Sequence, residues 1–267
     1  MEKFSSKTLQ FLIKAGKQKN PNWLEKNRAD YESVLQEPLK HFAQHLKSEL
    51  SPLAPGYHFP QKGIGRMKYS ANRVSERGGR LYKNWMTYSA SRPRTSRFEH
   101  NPNLFFLINT DDPKDTILIA GGLYMPSSQQ TRKLRETIAQ DGTAFEKLFA
   151  SKEFSRSFPG GFSDERISGR PTRGYDPEHP RMHWLRLQAF FVWKSYKRRD
   201  FTSSQFPKLV ARDFKQVLRL NEIMERALRG APLHVSTTAT DKSKAEKSGI
   251  LLERLENMKS NQRKMDF

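Results

Sequence analysis

The sequence predicts an α+β fold with N-terminal helices, a central antiparallel sheet and a helical C-terminal half. Three observations carry that expectation. Apolar residues recur at helical spacing from Leu9 to Leu50. The middle of the chain changes to short runs rich in Ile, Phe, Tyr and Leu, separated by turn residues. Helical spacing then returns and lasts to Leu228.

Leu9, Leu12 and Ile13 predict a first helix that closes at Gly16. A second begins near Asn22 and carries Trp23, Leu24, Tyr31, Val34 and Leu35. Pro38 breaks or restarts it, and Leu39, Phe42, Leu46 and Leu50 mark the stripe of a third. Strands are predicted at Ile64 to Tyr69, Tyr82 to Tyr88, Leu104 to Asn109 and Thr116 to Tyr124. Asp111-Asp112-Pro113 reads as turn chemistry between the last two. Strands this close in sequence pair antiparallel, because parallel crossovers need more chain. Met125-Pro126-Ser127 leads into a helix through Leu134 and Ile138, and Phe145, Leu148 and Phe149 mark another. Trp184, Leu185, Leu187, Phe190, Phe191, Trp193 and Tyr196 predict a strongly apolar helix starting near Pro180. Phe206 to Leu228 predicts a long amphipathic one. Residues 1–230 read as one domain. Residues 231–267 read as a polar, flexible tail in which Ile250, Leu251, Leu255 and Met258 either form a short amphipathic helix that docks on the body or on a protein partner, or stay a frayed end.

The 267 residues carry 48 Lys and Arg against 28 Asp and Glu, a net charge of +20. Such a surface attracts polyanions, with nucleic acid or another phosphorylated ligand as the expected partner. The absence of cysteine excludes disulfides, Cys-ligated zinc and thiol catalysis. No apolar run is long enough for a transmembrane segment, so the expected location is cytoplasmic.

Between Gly160 and Asp200 lies a loop dense in Gly, Pro and Arg. Arg170, Arg173, Arg181 and Arg186 fall close together with Tyr175 and His179. Guanidinium groups are always charged and present forked donors that match phosphate and carboxylate oxygens. Two readings stand. The arginines converge on an anion, or they pair with Asp164, Glu165, Asp176 and Glu178. Further basic residues, Arg66, Lys68, Arg73, Arg77, Arg80 and Lys83, flank the early strands. Arg92, Arg94 and Arg97 follow, interleaved with Tyr88 and Phe98. Cations beside exposed rings suit a single-stranded nucleic-acid groove, whereas Tyr and Phe on strands also serve as core.

Several pieces in order resemble the conserved hypothetical family catalogued as domain of unknown function 2461. They are Phe11-Leu12, Asn20 to Trp23, Tyr31, Pro38-Leu39, Gly121-Gly122-Leu123-Tyr124-Met125-Pro126, Arg132 and Arg135. The loop adds Arg170-Pro171-Thr172-Arg173-Gly174-Tyr175-Asp176 and His179-Pro180. The similarity covers roughly Phe4 to Leu228. It departs at the first strand, where the family's Arg-Asp-x-Arg-Phe stands here as Gly65-Arg66-Met67-Lys68-Tyr69. It departs again at Arg80-Leu81-Tyr82-Lys83. The resemblance implies an α+β fold and a cytoplasmic protein, and brings no activity with it.

No catalytic signature is present. His179 and His183 lack the glutamate of a zinc-protease helix, and His41, His45 and His100 lack acidic partners at ligand spacing. No metal and no cofactor are expected. Gly121-Gly122 is too short for a dinucleotide fingerprint and reads as a close approach to the strand backbone. The expected function is that of a non-enzymatic, nucleic-acid-binding protein with mainly phosphate contacts. Arg66, Lys83, Arg135, Arg170, Arg173, Tyr175 and His179 form its anion-binding set. The alternatives are an enzyme acting on a phosphorylated small molecule in an Arg/Lys-lined cleft, with His179 or Tyr175 as proton donor, and a structural or interaction module.

Overall fold

The computed structural model describes residues 3–61, 66–94, 100–111 and 117–231. The expectations for Ile64, Arg97, Phe98, Asp112, Pro113 and the tail beyond Ala231 lie outside the described residues.

The chain opens with α1 (Ser6–Gly16), α2 (Trp23–Lys26) and α3 (Arg28–Tyr31), then a π-helical turn at Glu32–Gln36 and α4 (Glu37–Leu50). Thr8 starts α1 by accepting from the Ser5 amide at 3.1 Å, and its hydroxyl donates to Val34 O at 2.7 Å, tying α1 to the π turn. Pro38 falls in the first turn of α4, where its missing N–H costs no helical bond, so the helical path restarts there. After α5 (Ala71–Glu76) come three strands, β1 (Trp85–Ser91), β2 (Asn103–Asn109) and β3 (Ile117–Leu123). Helices α6 (Ser128–Asp141), α7 (Thr143–Ala150), α8 (Lys152–Ser157) and α9 (Met182–Leu185) follow, then β4 (Phe190–Ser195), α10 (Arg198–Phe201) and α11 (Phe206–Arg229). The fold is α+β.

The four strands run in the order β1-β2-β3-β4, each neighbour pair antiparallel. One face of this sheet is core. Met86, Tyr88, Leu104, Phe106, Ile108, Ile117 and Ile119 are buried there with Phe42 and Leu46 of α4 and Phe206, Val210, Phe214 and Val217 of α11. Phe4 stacks on Phe201 at 4.6 Å between ring centroids, and Phe42 meets Phe106 at the same distance. Each such ring contributes about 1.5–3 kcal/mol by leaving water.

One strand expectation and one helix expectation change. The predicted strand at Ile64 to Tyr69 is, over its described part, a single bridge between Lys68 and Tyr82. The apolar helix expected after Pro180 is instead the four-residue α9 followed by β4. Phe190 and Val192 face the core, while Phe191 is covered on the other side by Tyr124 with ring centroids 5.0 Å apart. A strand apolar on both sides shows no period of two, which is why its run imitates a helix. Asp176 closes a local turn, its carboxylate accepting from the Glu178 amide at 3.0 Å.

Gly121 and Gly122 carry the crossing of α11 over β3. A Cβ on Gly121 would overlap Cγ1 of Val217, and Gly122 has φ +111° with Phe190 O where a side chain would start. Among the described residues no helix is long and apolar enough to cross a membrane.

Candidate functional site

The second face of the sheet is half-exposed. It presents Trp85, Thr87, Ser89 and Ser91 from β1, Asn103, Phe105 and Leu107 from β2, Leu118 and Ala120 from β3, and Trp193 from β4. The strand register aligns Ser89, Phe105, Ala120 and Trp193 in one row across all four strands, with Ser91, Asn103, Gly122 and Phe191 in the next. Phe105 and Trp193 thus stand two strand spacings apart, ~9.6 Å, with only the methyl of Ala120 between them. The result is a trough of about 730 Å³, floored by Ala120 and Gly122 and walled by rings. Trp193 is 42% exposed.

Cations rim this face. At the end where β1 begins, Lys83 Nζ sits 4.7 Å from the centre of the Trp85 ring and 5.9 Å from that of Tyr69, whose hydroxyl accepts from Trp85 Nε1 at 3.1 Å. Burial lowers the Lys83 pKa from its ordinary value. At the other end Arg94 and His100 line the trough, 3.3 Å apart. Arg166 lies over the Tyr124 ring at 5.5 Å and donates to Tyr124 O at 3.1 Å. Glu165 is the acidic residue in the lining.

A second cleft, of about 610 Å³, lies between the first turns of α6 and the loop at 172–175. A reciprocal cap positions α6: the Gln130 amide donates to Ser127 Oγ at 3.2 Å and the Ser127 amide to Gln130 Oε1 at 3.0 Å. Gln130 Nε2 also donates to His100 O at 2.6 Å, so one side chain anchors the helix beside the trough. Arg135 lines the cleft and is held by a bond from Nη2 to Leu187 O at 2.8 Å. Arg173 and Tyr175 come from the loop, which is pinned by Thr172 Oγ1 donating to Leu185 O at 2.7 Å.

The structure brings together three of the seven residues expected to bind anions, Arg135, Arg173 and Tyr175. Arg170 is exposed on the same loop but does not line the cleft. His179 faces the end of α6, where its Nδ1 accepts from the Arg181 amide at 3.0 Å and its Nε2 lies 3.3 Å from Ala139 O. Accepting at Nδ1 places the proton on Nε2, and both ring nitrogens are then engaged by backbone. Lys83 belongs to the open sheet face, and Arg66 is exposed just before the Lys68–Tyr82 bridge. The loop's other arginines serve structure. Arg181 Nε reaches Glu146 at 2.7 Å, and Arg186 Nε donates to Ser168 O at 2.7 Å. Asp164 pairs with His183 at 2.8 Å rather than with an arginine.

Trp85, Phe105 and Trp193 were not legible as an exposed set, because apolar residues occupy both faces of β2 and β3. Tyr88, expected either beside a groove or in the core, is core. The one available signal was small polar residues, Thr87, Ser89, Ser91 and Asn103, sharing strand parity with those rings. Among the described residues no group of three or more His, Asp or Glu is placed to hold a metal ion.

No curated protein matches this chain, and no solved structure does. A family model described as "Conserved hypothetical protein (DUF2461)" matches residues 7–222, most of the body that carries both clefts, and the chain belongs to that family.

Proposed function

We propose that this protein binds single-stranded nucleic acid along the open face of its sheet, in the cytoplasm and without catalysing a reaction. The observation that carries the reading is the row Ser89–Phe105–Ala120–Trp193, an aromatic-walled trough with Arg94 in its lining, on a sheet face that carries Lys83 beside Trp85 and Arg166 beside Tyr124, in a chain of net charge +20. Every base has a π-face, so rings of this kind stack on unpaired bases with little sequence preference, at about 1–3 kcal/mol per base. The rim cations meet phosphates and add affinity that falls with salt. Ser89, Asn101 and Asn103 supply donors and acceptors to base edges or sugar.

Charge alone attracts any polyanion, so binding as such is a weak test. Strand state is the discriminating variable, because a duplex hides its base faces from the trough. With single- and double-stranded oligonucleotides of equal length at about 0.15 M salt, the single strand is expected to bind at least about tenfold more tightly. Equal affinity for both overturns the reading.

A further inference from the structure

The cleft between α6 and the 172–175 loop is a separate matter, and it does not rest on the nucleic-acid reading. Its charge is unbalanced. Arg132 lies 3.6 Å from Glu136, which accounts for the acidic side chain in the lining. Arg135 and Arg173 are left over, and among the described residues neither has a carboxylate partner. Arg173 is exposed. Arg135 is half-buried, and its Nε is cut off from water with no hydrogen-bond partner among the described residues. Burial lowers the pKa of this guanidinium, yet an arginine stays protonated. A desolvated cation without a counter-ion costs stability, and proteins keep one where a ligand completes it.

The surroundings fit an oxyanion. Tyr175 has its own pKa raised by burial and by Glu136, so it remains a hydroxyl donor. Ser128, Thr131 and Gln188 add neutral polar groups to the lining. Two guanidinium groups and a phenol hydroxyl match a dianion with three terminal oxygens better than a single carboxylate. We infer that this cleft binds a phosphomonoester group, held between Arg135 and Arg173 with Tyr175 donating to a third oxygen. The group has two possible sources, a small phosphorylated molecule or the terminal phosphate of a nucleic-acid strand.

The test uses the full chain and inorganic phosphate, with ionic strength held constant by chloride. Phosphate is expected to raise the melting temperature, since a ligand of the native state stabilises it. Arg173→Ala removes an exposed side chain without touching the fold. Arg135→Lys keeps the charge and loses the fork. Each is expected to weaken the apparent affinity at least about tenfold, whereas Lys47→Ala, exposed on α4, leaves it unchanged. Absence of a shift in the wild type, or an equal shift in Arg173→Ala, Arg135→Lys and Lys47→Ala, overturns the site and leaves only diffuse charge. The source is then read with oligonucleotides. A 5′- or 3′-phosphate that tightens binding over the hydroxyl-ended twin, and no longer does so in Arg173→Ala, assigns the cleft to strand ends. Competition by phenyl phosphate with no such end effect assigns it to small phosphomonoesters.

Discussion

Asp213 is fully buried in α11, and its carboxylate gathers four partners. Ser157 Oγ donates at 2.8 Å, Lys194 Nζ at 2.7 Å, Tyr196 OH at 2.8 Å and Arg212 Nη2 at 3.0 Å. Burial pushes the carboxyl pKa up, but the bonds and charge of Lys194, with Ser157 and Tyr196, outweigh it and hold the group below its ordinary value. The unfolded chain therefore takes the proton first as pH falls. The stabilisation is complete above the unfolded pKa of about 3.9 and is lost as pH falls through the lower folded value. Asp213→Asn strands Lys194, which is 26% exposed, and is expected to cost about 3 kcal/mol at neutral pH. Urea unfolding of both chains should show the gap between them narrowing below about pH 4; a gap constant down to about pH 2 contradicts this account. None of this network was legible beforehand. Ser157 on α8, Lys194 and Tyr196 at the end of β4, and Asp213 on α11 lie on three segments, and only the folded topology makes them neighbours. Gly121-Gly122 was legible, since paired glycines in an apolar strand have few uses besides close approach, and Val217 supplies the approaching group.

At the scale of elements, legibility followed periodicity. α1, α4 and α11 bury one stripe each, and the stripe shows in sequence. β4 failed because it is apolar on both sides, with Phe191 under Tyr124 and Trp193 half-exposed, although the cluster Phe190-Phe191-Val192-Trp193 is strand chemistry. The loop arginines are neighbours in sequence but part in the fold, because Arg181 turns to Glu146 and Ile138 O and Arg186 to Ser168 O, targets that depend on packing. The end of α11 is a sharp boundary. Gly230 adopts the left-handed conformation at φ 68° and its amide closes on Ala227 O at 3.0 Å. Removing 234–267 is expected to shift the melting temperature by less than about 2 °C, under about 1 kcal/mol for a body of this size. A larger fall would mean that Ile250, Leu251 and Leu255 contribute to the core.

For the whole molecule, composition raises the expectation of a polyanion partner but names no place for it. A charge of +20 is spread over many segments, and sequence does not say which cations share a face with which rings. The open sheet face is the proposed place, because Trp85, Phe105 and Trp193 turn outward there while Lys83 and Arg94 stand at its two ends. Stacking and ion release then make separable contributions to affinity, since counterions are displaced by cations and not by rings.

The slope of log affinity against log salt for a single-stranded oligonucleotide tests this most directly. Lys83→Ala with Arg94→Ala is expected to lower the slope by about 1.4, two phosphate contacts at about 0.7 each. Trp85→Ala with Trp193→Ala is expected to keep the wild-type slope while losing at least about tenfold in affinity at every salt concentration. A ring variant that binds like the wild type, or one whose slope falls as far as that of the cation variant, contradicts the open sheet face as the binding surface.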